Sequence, residues 1–267
     1  MNFKDLFRLN TKVINWGGYL KYFKYYVFNH HVISDISSKD ELISSKTSNR
    51  CYICALGPSL KEVDFNALDG DSIVVNRFYK HGLSLESFVP TYYLMIDAQF
   101  ASDANKKDFY NALKAYENKK TRFILNSKLA SVKEIHELKN NISYVSCCKG
   151  LFNSSRTYEL GKVMPAFGNV ACTAVAIAIS LGYDEIYLLG CDFNSFASRK
   201  AVHCYAEANE ERQISLSYEL YCYSLVAEMH EQLYAFAQKK GVKIINTTKG
   251  SLIDAYPYEI DDKLYKK

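Results

Sequence analysis

Short, continuous apolar runs alternate with stretches of helical composition along most of the chain. The runs Cys51–Leu56, Ser72–Val75, Tyr92–Ile96, Arg122–Leu125, Asn141–Ser146, Glu185–Leu189 and Val242–Asn246 read as strands. Helices are predicted over Ser59–Leu68, 107–119, 128–139, Ala171–Leu181 and 215–239. Ala171–Leu181 is small and apolar on every side, which marks a buried helix. The 215–239 helix runs into Lys-Lys-Gly, basic residues and then a glycine in the positions that stop a helix. Strands that are apolar throughout, rather than at alternate positions, are those covered on both faces. The order therefore predicts an α/β domain with a mostly parallel, Rossmann-like sheet and helices on both faces. Two connections, Lys149–Ala166 and Asn194 to about Ser215, exceed plain turns and have the size of lids or binding loops.

The first 49 residues break this pattern, and the α/β domain is expected over 50–267. Up to about residue 31, Phe3, Phe7, Trp16, Tyr19, Tyr22, Phe23, Tyr25, Tyr26 and Phe28 are interleaved with Arg8, Lys12, Lys21 and Lys24, with Asp5 as the acid. Such an aromatic and basic helical segment suits either the headgroup region of an anionic membrane or a helix packed on the domain or a partner. Residues 32–49, rich in Ser, Asp and Lys, read as a polar linker.

Composition narrows the function classes. With 48% hydrophobic and 23% charged residues in 267, a sizeable core is available and global disorder is excluded. A formal charge of +4 suits an anionic ligand or an acidic membrane surface but is too small for a general nucleic-acid footprint. Several of the eight cysteines lie within apolar runs, where a thiol acts as a small hydrophobe. Cys51-x-x-Cys54 has metal-like spacing, yet strand alternation sends its thiols to opposite faces and no second pair follows, so no metal site is expected. Without a signal peptide or a run long enough to span a bilayer, the expected location is cytoplasmic, with peripheral contact at the inner membrane face.

In an open parallel sheet, ligands bind beyond the carboxyl ends of the strands. Gly57, Pro58 and Ser59 follow the first strand, Asn76 the second, Asp97 the third, and Asp192 the Glu185–Leu189 strand; Gly168 and Asn169 open the buried helix. A glycine at a strand exit permits a sharp turn, proline at the next position gives up an amide that would lack a partner, and the remaining amides favour an anion such as a phosphate diester. Asn76 and Asp97 suit a ribose or base edge, or equally a loop-stabilising turn. His203 lies in the second long loop beside Tyr205 and Glu207; a histidine of near-neutral pKa is a natural general base for a sugar hydroxyl. His136 and His230 fall on predicted helices and are read as surface residues.

The blocks CALGPSLKEVDFNAL, VVNRFY and AVAIAISLGYDEIYLLGCDF resemble the bacterial sialyltransferases of glycosyltransferase family 42. They also resemble a broader group of bacterial surface-polysaccharide proteins that share a domain with an archaeal pterin pyrophosphokinase. The resemblance covers about residues 50–100 and 165–257. It implies a modified GT-A fold and metal-independent, inverting transfer from CMP-sialic acid, without a cofactor. Ser59 and the amides around Gly57 and Pro58 would hold CMP, with Asn76 beside the nucleotide and Gly168 and Asn169 at a small-residue turn. Asp97 stands where the family has Asn. The family's catalytic histidine precedes the last long helix, and the matching stretch Leu220–Ser224 contains none.

With the strand-exit residues, the resemblance implies a glycosyltransferase that passes sialic acid or a related acidic sugar from a CMP-sugar to a glycan or glycolipid acceptor, in lipopolysaccharide or capsule biosynthesis. His203 would act as base, Tyr205 and helix amides would steady the departing phosphate, and Asp192 would line the nucleotide site. No nucleic-acid partner is expected, and a homo-oligomer is left open. The alternatives are a magnesium-dependent pyrophosphokinase-like enzyme, with Asp97 and Asp192 on the metal, and a non-catalytic nucleotide- or glycan-binding module.

Overall fold

Cys51, Ile53 and Ile73 face one side of a sheet whose other side carries Tyr52, Cys54 and Val74, so neighbouring positions enter two separate cores. In the computed structural model the described residues are 36–82, 88–132, 135, 141–148, 150, 152–156, 158–166, 168–200, 203–205 and 214–266, with isolated positions between 16 and 28. Among the described residues the sheet has seven strands: β1 (Arg50–Cys54), β2 (Asp71–Val75), β3 (Tyr92–Met95), β4 (Arg122–Asn126), β5 (Asn141–Val145), β8 (Glu185–Leu189) and β9 (Lys243–Asn246). Their order is β5-β4-β3-β2-β1-β8-β9, and every pair is parallel. A short parallel pair, β6 (Cys147–Cys148) and β7 (Met164–Pro165), stands apart from it.

The helices among the described residues include α1 (Lys39–Ile43), α2 (Tyr79–Gly82), α3 (Asp103–Ala115), α4 (Val170–Ser180) and α5 (Leu216–Lys240). One face of the sheet is covered by α4 and α5, whose Ala174, Val175, Ala178, Leu225, Leu233 and Phe236 share a core with Ile53, Ile73 and Leu188. The other is covered by α3 and short turns, through Phe109, Leu113, Leu60, Phe65 and Phe78. Every residue of β2 is buried, Ile73–Val75 as an apolar run and Asp71 and Ser72 through hydrogen bonds, whereas β5 at the edge alternates between buried and more open positions. In α4 the residues Ala171–Ile179 are all buried, because alanines let the helix lie close to the sheet. The end of α5 is set by Gly241 at φ +71°, a left-handed C-cap after Lys239 and Lys240.

Three local expectations change. Ser59–Leu68 is two 3-10 turns, Pro58–Glu62 and Phe65–Ala67, instead of one helix. The cause lies in the C-terminal segment: Val63 forms an antiparallel bridge with Tyr265, and the Asp64 amide donates to Leu264 O at 2.9 Å, which holds residues 63–64 extended. The predicted helix 128–139 begins instead in a 3-10 turn, Ser127–Leu129, whose Lys128 amide donates to the Asn126 side chain at 3.0 Å, and 133–134 and 136–139 lie outside the described residues. Part of the linker stretch also packs on the domain. The Ser37 amide donates to Tyr144 O, Leu42 of α1 is fully buried, and Leu42 O accepts from Tyr92 OH at 3.1 Å.

At the amino-terminal edge of the sheet, the buried Asp71 carboxylate accepts from the Thr47 and Ser48 amides and from the Thr47, Thr91 and Tyr183 hydroxyls. That network pins β2, the chain before β1 and the turn after α4 together, at the end of the sheet opposite the strand exits.

Candidate functional site

Strand order reverses direction at β1. The chain runs from β1 outward through β2 to β5, then returns to lay β8 on the other side of β1. The connections leaving β1 and β8 therefore diverge at their carboxyl ends, the place where open α/β sheets form the crevice in which ligands bind.

The two walls of this crevice touch through Ser59 and Asp192. The Ser59 hydroxyl donates to Asp192 Oδ2 at 2.7 Å and the Ser59 amide to Asp192 Oδ1 at 3.1 Å. Burial pushes the Asp192 carboxyl above its ordinary range, and these two hydrogen bonds pull it part of the way back. Gly57 is where this contact becomes possible: a Cβ there would lie 1.9 Å from Asp192 Oδ2 and 2.6 Å from Gly190 O. Gly57 also donates its amide to Gly190 O at 2.8 Å, and Gly190, at φ +65°, has Ala55 O 2.7 Å from where its own Cβ would stand. Pro58 opens the 3-10 turn as its first residue, after Gly57, which caps it without a side chain. Behind Asp192, the loop after β9 closes the wall: Leu252 donates to Asp192 O, Ser251 to Cys191 O, and Thr248 accepts from the Cys191 amide.

On the β2 side, Asn76 sits in the left-handed region at φ 49°, a conformation that asparagine tolerates better than most residues. Its main chain is fixed, with the amide on Leu94 O at 3.0 Å and its carbonyl accepting from Tyr93 OH at 2.7 Å. Its side-chain oxygen is buried and accepts no hydrogen bond. An unmet buried acceptor costs about 1–3 kcal/mol.

The segment 203–205 is tied to the same place, because the Cys204 amide donates to Leu56 O at 2.9 Å, just beyond β1. Half-buried His203 stacks on Tyr205 with ring centroids 5.2 Å apart, and Lys80 Nζ lies 5.3 Å from the Tyr205 ring centre. His203, Tyr205 and the β1 and β2 exits are thus neighbours. Glu207 lies outside the described residues.

Asn169 caps α4, accepting from the Ala171 and Cys172 amides at 2.8 and 3.2 Å, and Gly168 precedes it in an exposed, left-handed turn. The first turn of α4 reaches the β8 wall through side chains. Cys172 Sγ is 3.4 Å from His230 Nε2, and the His230 ring packs edge-on against Phe193, which follows Asp192. Asp97 stands further out: it is exposed, and its Oδ1 accepts from the Gln99 amide at 2.9 Å in a local turn.

His230 corrects an expectation. It is fully buried, not on the surface, with Nδ1 2.9 Å from Tyr256 OH, and burial lowers its pKa to about 4. His136 lies outside the described residues. A further cluster went unread in the sequence. Ser195 Oγ is 2.5 Å from Tyr223 OH and 3.3 Å from Glu219 Oε1, with Phe193 and Phe196 against the Tyr223 ring. Glu219 and Tyr223, four residues apart, share one face of α5 at the mouth of the β8 wall, and that spacing was its available signal. Among the described residues, no three His, Cys, Asp or Glu side chains are grouped as a metal site, and Cys51 and Cys54 enter opposite cores.

No protein-family model matches the sequence, and no curated protein is detectably similar to it. Solved structures are similar in fold. The monofunctional α-2,3-sialyltransferase Cst-I from Campylobacter jejuni superposes with a TM-score of 0.50 at 15% identity, over 87% of this chain and 84% of that one. The sialyltransferase CstII from Campylobacter jejuni with the substrate analogue CMP-3FNeuAc gives 0.48 at 14%, over 82% and 88%. The same enzyme with a trisaccharide acceptor and CMP gives 0.45 at 16%, again over 82% and 88%. The chain has a Rossmann-like α/β fold of the kind found in Cst-I.

Proposed function

We propose that this protein is a glycosyltransferase that transfers sialic acid or a related acidic sugar from a CMP-linked donor to a cell-surface glycan or glycolipid, without a metal and with inversion. The observation that carries the reading is the buried, unpaired Oδ1 of Asn76 at the exit of β2, beside the crevice between β1 and β8. An acceptor held there by a rigid main chain suits a cytosine amino group or a ribose hydroxyl. The similarity of fold to Cst-I supports the class of reaction.

In this reading the Ser59 hydroxyl, its proton held by Asp192, offers its oxygen lone pairs to a donor on the nucleoside. Gly57, Pro58 and Asp192 shape that wall, Gly168 and Asn169 lead into the helix beside it, and Asp97 lies at its rim. His203 takes the proton of the acceptor hydroxyl as that oxygen attacks the anomeric carbon. The bond from that carbon to the phosphate oxygen breaks, and CMP leaves with the electron pair. Tyr205, with Lys80 above its ring, places polar and positive groups near the departing phosphate. A single base and a held leaving group suffice for inversion.

The test is thermal-shift titration with CMP, UDP, GDP and ATP, each with and without magnesium, because a ligand that binds only the native state raises its melting temperature. Stabilisation by CMP without magnesium, lost in Asn76→Ala, is the expected result. Stabilisation by magnesium–ATP alone would replace this reading with a pyrophosphokinase-like one, and no shift with any nucleotide would leave a binding module.

A further inference from the structure

The net charge of this protein is unevenly placed. Lys4, Arg8, Lys12, Lys21 and Lys24 against Asp5 give residues 1–31 a formal charge of +4, equal to that of the whole chain, so the remainder balances to zero. The described positions of this stretch, 16–17, 20, 23–24 and 27–28, are helical. Among them Trp16, Leu20, Phe23 and Val27 follow one another in steps of four, three and four, the spacing of a single helix face. Their exposures are 68%, 54%, 68% and 41%, and that of Phe28 is 71%. Large apolar side chains aligned on one face and left open mark a surface that something covers.

We propose that this segment lies flat on an anionic phospholipid leaflet, with Trp16, Leu20, Phe23 and Val27 in the boundary between headgroups and acyl chains. Charge selects this occupant: exposed Lys24 is part of a basic excess confined to the segment, and such an excess is drawn to anionic headgroups. Composition agrees, since an aromatic ring at the headgroup level suits Trp and Phe better than a dry protein interface requires. No helix among the described residues is long and apolar enough to cross a membrane, which fits an in-plane arrangement. The proposal is independent of the identity of the donor sugar.

Trp16 is the only tryptophan in the chain, so its emission reports on the stripe directly. The full chain is titrated with phosphatidylglycerol-rich vesicles and with pure phosphatidylcholine vesicles, with binding scored by sedimentation and by quenching from brominated lipid. The expected result is a blue shift and quenching with anionic vesicles only, reversed by salt. Phe23→Ser should abolish the shift, and Lys21→Glu with Lys24→Glu should weaken partitioning by roughly 25-fold or more. Unaltered melting temperatures would show that these substitutions leave the fold intact. Equal binding to both vesicle types, or none to either, overturns the proposal. So does emission already blue without vesicles, whether independent of protein concentration (the chain's own domain covers the stripe) or rising with it (a second copy does).

Discussion

The hydroxyl and amide of Ser59 both donate to the carboxylate of Asp192, joining the exit of β1 to the exit of β8 across 133 residues. Burial pushes the pKa of this carboxyl up, and those two donors favour its charged form and pull it part of the way back. Ser59→Ala removes the stronger of them and should destabilise the protein by about 1.5–3 kcal/mol at neutral pH. The sign of its pH dependence follows. A carboxyl whose pKa is raised by folding is best accommodated when protonated, so the penalty of the substitution should shrink as pH falls into the acidic range. Urea unfolding of both proteins at pH 7 and pH 5 measures the difference; equal penalties would mean that the hydroxyl does not support the charge.

Gly57→Ala should be among the most damaging single substitutions. Its Cβ would meet Asp192 Oδ2 at 1.9 Å and Gly190 O at 2.6 Å. The first obstacle is a side chain and the second is backbone, so Gly57→Ala combined with Asp192→Ala should recover only part of the loss. The expected cost of the single change is about 4 kcal/mol or more, read as a fall in melting temperature.

His230 should give the protein an acid-sensitive core. Its pKa is about 4 in the folded state because of burial, against about 6.5 for an exposed imidazole. The unfolded chain therefore binds more protons between these values, and stability should decline as pH falls from about 6.5 towards 4, by at most about 3 kcal/mol. His230→Phe should flatten this part of the pH profile in a calorimetric series, whatever it does to stability at pH 7. A profile as steep as that of the unsubstituted protein would assign the acid sensitivity elsewhere.

Asn76 separates binding from stability. Asn76→Gly removes the unpaired acceptor and keeps a residue at ease at positive φ. Melting temperature should hold steady or rise, while CMP affinity by calorimetry should fall about tenfold or more if one ligand hydrogen bond is lost. Unchanged affinity would remove Asn76 from the proposed nucleotide site.

The strands were legible because their burial is nearly complete. Runs such as Ser72–Val75 and Glu185–Leu189 needed no knowledge of their neighbours to be recognised, and their alternation with helices implied a parallel sheet. What escaped depends on partners far away in the chain. The 3-10 turns after Gly57 are imposed by Leu264 and Tyr265, about 200 residues later. His230 could not be placed because apolar and aromatic residues surround α5 on several sides, and its partners Cys172 and Tyr256 lie 58 and 26 residues off. At the site, the strand-exit rule singled out Gly57, Ser59, Asn76 and Asp192, but not that Ser59 and Asp192 bind each other. A lone loop histidine carried no sign that Cys204 would tie it to Leu56.

The position of β1 between β2 and β8 also has a bearing on time. Strands β1 to β5 are neighbours in the order of synthesis, so each can pair soon after the last, at small cost in chain entropy. Pairing Glu185 with Arg50 joins residues 135 apart in the chain, and such distant pairings are the slow ones. Pulse-labelled exchange should find amides of β2 to β4 protected before those of β8, and the reverse order would contradict this. The crevice is then a late product of assembly: until β8 docks, the five strands β1 to β5 stand with Ser59 unpaired and the β1 edge open.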